Sequence, residues 1–115
     1  MTIERFDPGR RFAQAVAHGD TVYLAGHTAS VPEAGVYEQT HEILQLIDRH
    51  LAAAGTDKSR LLSASIWLTD IETFDEMNRA WDEWVDMANL PARATVEARL
   101  ASPDYKVEIA AIAAR

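Results

Sequence analysis

The period of the apolar residues changes along this chain, and that change limits the architectures open to it. Between Val36 and Gly55, Val36, Thr40, Ile43, Leu44, Ile47 and Leu51 recur at three- and four-residue steps, the spacing of one face of a helix. From Leu61 to Asp70 the period drops to two: Leu62, Ala64, Ile66 and Leu68 alternate with Ser63, Ser65, Trp67 and Thr69, as in a strand. The helical period returns over 71–88, where Phe74, Met77, Trp81, Trp84 and Ala88 form a second stripe. It gives way again over 90–100 and 105–114. The first part, 12–29, reads as a β-hairpin turning at His18, Gly19 and Asp20, with Gly26 interrupting its second strand as a bulge or a close backbone approach. Gly55 is placed to end the first helix, and Asp70 or Thr73 to begin the second.

The predicted order is ββαβαββ in one domain spanning 1–115, an α+β fold in which two helices cover one face of a five-stranded mixed sheet. No segment remains to cover the other face. Trp67, Ser63, Ser65, Arg93, Thr95, Glu108 and Ile112 are expected on it, a mixture suited to a subunit interface with clefts.

Composition removes several chemistries. The chain has no cysteine, which excludes disulfides, thiol nucleophiles and Cys-ligated zinc. Eleven basic and eighteen acidic residues give a net charge of −7, unfavourable for a nucleic-acid partner. The start, MTIERFDPGRR, lacks the apolar run of a secretory signal, and no stretch is long enough for a membrane span. A cytoplasmic protein with neither a nucleic-acid nor a membrane partner is expected.

His18, His27, His41 and His50 give no metal-ligand spacing, and no metal site is expected; Gln45 stands where a zinc-protease helix beginning at His41 would need its second histidine. His41 and His50 read as helix-surface residues, and His27 as a residue that lines a pocket or a loop. The carboxylates at 70–76 and 82–86 read as a solvated helix face.

Arg93 and Glu108 stand out. Each lies within an apolar strand pattern. A guanidinium presents a planar fork that fits a carboxylate through two hydrogen bonds. The residue types allow an anion pocket, or a structural ion pair between the two.

The stretches GDTVYLAG, WLTDIETFDEMNRAWDEWV, LPARATVEARL and KVEIAAIA resemble, in order and spacing, the RidA (YjgF) family of reactive-intermediate enamine/imine deaminases, from about Arg10 to Ala114. The resemblance implies a chorismate-mutase-like fold and a homotrimer with clefts between subunits. It also implies hydrolysis of 2-enamino or 2-imino acids to 2-oxo acids and ammonia, without a cofactor. Arg93 matches the family's carboxylate-binding arginine, Glu108 the glutamate that orients water, and Asn78 a helix asparagine near the cleft. Phe12, Ala25, Gly26, His27 and Thr95 fall at substrate-contacting positions. Four of these depart from the best-studied branch, which carries tyrosine, serine, glutamine and cysteine where Phe12, Ala25, His27 and Thr95 stand here. A different branch is implied, with a less polar pocket near the hairpin. Two other activities compete: a trimer that binds small carboxylates such as 2-oxo acids without turnover, and the endoribonuclease or translation-inhibitor role sometimes attached to the family, which the charge opposes.

Overall fold

The computed structural model describes all 115 residues. Six strands form one mixed sheet in the order β1-β2-β3-β6-β4-β5: β1 (Ile3–Pro8), β2 (Ala13–His18), β3 (Thr21–His27), β4 (Leu61–Leu68), β5 (Ala92–Glu97) and β6 (Val107–Ala114). Helices α1 (Val36–Ala53) and α2 (Phe74–Trp84) connect β3 to β4 and β4 to β5. β4 and β5 pair in parallel, and every other neighbouring pair is antiparallel.

Local chemistry accounts for the element ends. The β2–β3 turn is a two-residue link in which Gly19 takes φ 61°. Helix α1 buries the whole predicted stripe, including Ile43, Leu44, Ile47 and Leu51. Burial of each such side chain contributes roughly 1.5–3 kcal/mol. The helix stops at Gly55, which takes φ 85° while the Thr56 N–H donates to Leu51 O at 3.0 Å and the Gly55 N–H to Ala52 O at 3.0 Å.

Two elements differ from the sequence expectation. The N-terminal segment forms a sixth strand, β1, paired along β2. Its charged residues and the closing Asp7–Pro8 hide the alternation. Helix α2 ends at Trp84 rather than Ala88 because the Asp86 carboxylate accepts from the Ala88 N–H at 3.0 Å and from the Asn89 amide at 3.0 Å, folding the chain into a side-chain-capped turn. The Asp70 carboxylate caps the short 3-10 turn Ile71–Thr73 that precedes α2, accepting from the Glu72 N–H, whereas Thr73 makes no side-chain cap.

The sheet registers define two faces. One cross-strand row runs Phe6, Ala15, Leu24, Ala111, Ala64 and Arg93, and lies under the helices. Its four central residues are buried, and the three alanines among them let the helices approach closely. The opposite row runs Arg5, Val16, Tyr23, Ile112, Ser63 and Ala92, with Trp67, Glu108 and Val96 on the same side. No helix or loop layer covers it, and Tyr23 and Val96 are about half exposed. Arg93 and Thr95 are therefore not on the bare face as expected. The parallel register seats Arg93 beside Ala64 and Thr95 beside Ile66, on the helix side. Ala92, Ala94 and Val96 take the bare side, so the alternation in β5 holds with its two faces exchanged. Neither helix is long and apolar enough to cross a membrane.

Candidate active site

Arg93 leaves the edge strand at the end of the helix-facing row, where the buried core meets solvent. Its guanidinium carbon sits 5.1 Å from the Trp81 ring and 5.7 Å from the Phe74 ring, both on α2. A planar cation over aromatic faces is held without an acid. The one ion pair in the molecule joins Arg115 to Glu4, so Arg93 has no carboxylate partner. Partial burial pushes its pKa down and the charge of Asp82 pushes back; an arginine remains cationic through such a shift. Asn78 and Arg93 line the same open depression of about 610 Å³ between α2 and the start of β5. Thr95, two residues along the same face, has a buried hydroxyl oxygen with no hydrogen-bond partner.

The remaining predicted residues gather elsewhere. The register between β3 and β6 slips between Leu24 and His27, confirming the bulge at Ala25 and Gly26. The slip turns His27 to the helix side, beside Ile109, where it is buried. Its Nδ1–H donates to Ala25 O at 2.6 Å, which leaves Nε2 as a lone-pair acceptor, buried and without a partner. Burial, more than the nearby His50, pushes the His27 pKa down against that hydrogen bond. Gly26 backs onto Glu108: a Cβ at position 26 would overlap the Glu108 carboxylate. Glu108 lies opposite Trp67 on the bare face. Phe12, Gly26 and His27 line a depression of about 370 Å³ together with Asp7, Arg49 and His50.

Glu108 and Arg93 project from opposite faces, so the structural ion pair considered from the sequence does not form within a chain. One group, Arg93, Asn78 and Thr95, belongs to the β5 edge and α2. The other, Phe12, Ala25, Gly26, His27 and Glu108, belongs to β3, β6 and the segment before β2. β4 stands between them in the sheet.

The pocket beside the hairpin is also more polar than expected, because β1 and α1 add Asp7, Arg49 and His50. His50 is not a surface residue: it is buried, with its ring 4.8 Å from that of His27. A signal was present, since His50 follows Ile47 by three residues and falls on the α1 stripe. A further hollow of about 610 Å³ along residues 97–103 contains none of the predicted site residues. No three His, Asp or Glu side chains converge to hold a metal ion.

The fold and its divided site define a class: a small α+β domain with one helix-covered and one bare sheet face, whose two groups of candidate residues do not meet within one chain. Residues 2–115 match the family described as Endoribonuclease L-PSP. A RutC family protein of Haemophilus influenzae is 47% identical over 114 residues, covering 98% of each chain. The RutC family protein YoaB of Escherichia coli K12 is 44% identical over 117 residues, covering 99% of each. Among solved structures, a YjgF-family protein from Neisseria meningitidis superposes with a TM-score of 0.94 at 42% identity, covering 100% of this chain and 96% of that one. A protein from Salmonella typhimurium described as a putative translation initiation inhibitor gives 0.91 at 39% identity, covering 99% and 98%. The chain belongs to the RutC/YjgF family, the RidA family of the sequence resemblance.

Proposed function

We propose that the protein hydrolyses 2-enamino or 2-imino acids to 2-oxo acids and ammonia, without a cofactor, at clefts between copies of the chain in a homotrimer. One observation carries this reading: a half-buried guanidinium, braced by two aromatic rings, has no anion of its own. A substrate carboxylate is the partner it lacks. The bare sheet face, with Tyr23, Trp67, Ile112 and Val96, supplies a surface for the neighbouring copy. That packing would bring Glu108 of one chain toward Arg93 of the next.

The chemistry asks little more of the protein. Arg93 fixes the imino acid through its carboxylate, leaving the C=N carbon facing Glu108. That carbon is already electrophilic, so water needs placement and a proton acceptor more than a metal or a nucleophile. Glu108 accepts the water proton as oxygen adds to carbon. With the imine nitrogen entering protonated, the adduct is a neutral carbinolamine; Glu108 returns its proton to that nitrogen, then takes the hydroxyl proton as C=O forms and ammonia leaves. The test is 2-iminopropanoate generated in situ, with 2-oxo acid formation followed. Wild type is expected to exceed Arg93→Ala by two orders of magnitude or more; equal rates remove the proposal.

A second reading is carriage of a small carboxylate without turnover, favoured by Phe12 and Ala25, which put no hydroxyl at the hairpin end of the site. Stabilisation by 2-oxo acids that needs Arg93, with no imine hydrolysed, would establish it. The family description names an endoribonuclease; a net charge of −7 favours a small anion over an RNA backbone for this chain.

A further inference from the structure

The depression beside Glu108 contains charge that the deamination chemistry does not use. Arg49, on the exposed side of α1, has no ion-pair partner. His50 follows it, turned inward against His27. His27 has committed its one proton to the Ala25 carbonyl, and its Nε2 lone pair meets no donor. The two rings are tilted by 43° with centroids 4.8 Å apart, and no group of the chain donates to the buried His27 Nε2. Asp7 is the one carboxylate in the lining and sits in left-handed backbone, φ 47°, a conformation that a tertiary constraint usually maintains. Gly26 belongs both to this depression and to the contact with Glu108, so the two spaces meet at the bulge.

We infer that this depression is the side-chain subsite of the same cleft, and that it selects imino acids bearing a second carboxylate. The inference rests on the deaminase reading for the position of the reacting carbon. With the first carboxylate on Arg93 of the neighbouring chain and the C=N carbon at Glu108, the substrate side chain passes Gly26 and Phe12 and ends beside Arg49 and His50. Arg49 meets the second carboxylate as a fork, and His50 donates a ring N–H beside it. A methyl side chain leaves all of these groups in water and gains nothing from them, so selectivity comes from polar groups that one substrate satisfies and the other does not.

Two imines generated in situ test it: 2-iminosuccinate from aspartate and 2-iminopropanoate from alanine. Wild type should favour the dicarboxylic imine at least tenfold in kcat/KM, and Arg49→Gln should abolish that ratio while Arg49→Lys keeps part of it. Arg49 is exposed, so the variants should fold. A ratio near one in wild type, or one that Arg49→Gln does not move, overturns the inference. A parallel titration with succinate and propanoate separates the two proposals. If neither imine is hydrolysed but succinate binds more tightly than propanoate through Arg49, the subsite stands and the deaminase reading falls. If succinate binding ignores Arg49, the subsite falls too.

Discussion

Arg93 and Glu108 lie on opposite faces of one sheet, Arg93 in register with Ala64 beneath the helices and Glu108 opposite Trp67 on the bare side. A reaction needing both draws them from different chains. Co-expression of Arg93→Ala with Glu108→Gln chains should therefore rebuild activity that neither homomer has. In a cyclic trimer containing both chains, about one cleft in three has both groups restored. Imine hydrolysis by separately tagged, doubly purified hetero-oligomers measures it; mixed assemblies as inactive as the parents would place the two residues in one chain's site or outside the chemistry.

Gly26→Ala should separate activity from stability. The added Cβ would overlap the Glu108 carboxylate, and Gly26 does not have a left-handed φ, so strain falls on that side chain rather than the backbone. The clash falls on the far end of a flexible side chain, which can change rotamer. A fall of tenfold or more in kcat/KM is expected, with stability changed by no more than about 1 kcal/mol. Thermal melts beside initial rates read both.

Gly55→Ala should do the reverse. Gly55 takes φ 85° in the turn that ends α1 and does not line Arg93's depression. A Cβ there meets no atom within 4 Å, so the cost is conformational alone, about 1 kcal/mol. That corresponds to a midpoint several degrees lower with kcat/KM retained. An unchanged midpoint would mean that the turn relaxes to a right-handed form.

Helix α1 was legible because its stripe, its ending glycine and its length agree, and the bulge at Gly26 was legible because glycine interrupts a strand pattern. The faces of β5 were not. Alternation separates Arg93, Thr95 and Glu97 from Ala92, Ala94 and Val96, but says nothing about which set meets the core. Apolar residues normally would. Here the strand lies at the sheet edge, where α2 thins to Phe74 and Trp81, and the two rings accept a guanidinium while the bare face takes the alanines. The polar character of the hairpin depression was hidden for a related reason: Asp7 and Arg49 are far apart in sequence and meet only once β1 pairs with β2.

His27 makes the fold sensitive to acid. Burial depresses its folded-state pKa below the ordinary 6.5, so the unfolded chain takes up this proton first as pH falls. Its contribution is complete above pH 6.5 and is lost below it, down to the folded pKa. The slope from this group is at most about 1.4 kcal/mol per pH unit. His27→Gln has no proton to bind and should flatten the loss of the melting midpoint between pH 7 and pH 5. The groups facing the ring set the background: His50 and Arg49 from α1, and Asp7 from β1. Because the variant removes only the His27 term, the comparison is the difference between the two melting-versus-pH curves. Parallel curves would mean that His27 is protonated in the folded state as readily as in the unfolded one, with its Nε2 hydrogen bonded rather than bare.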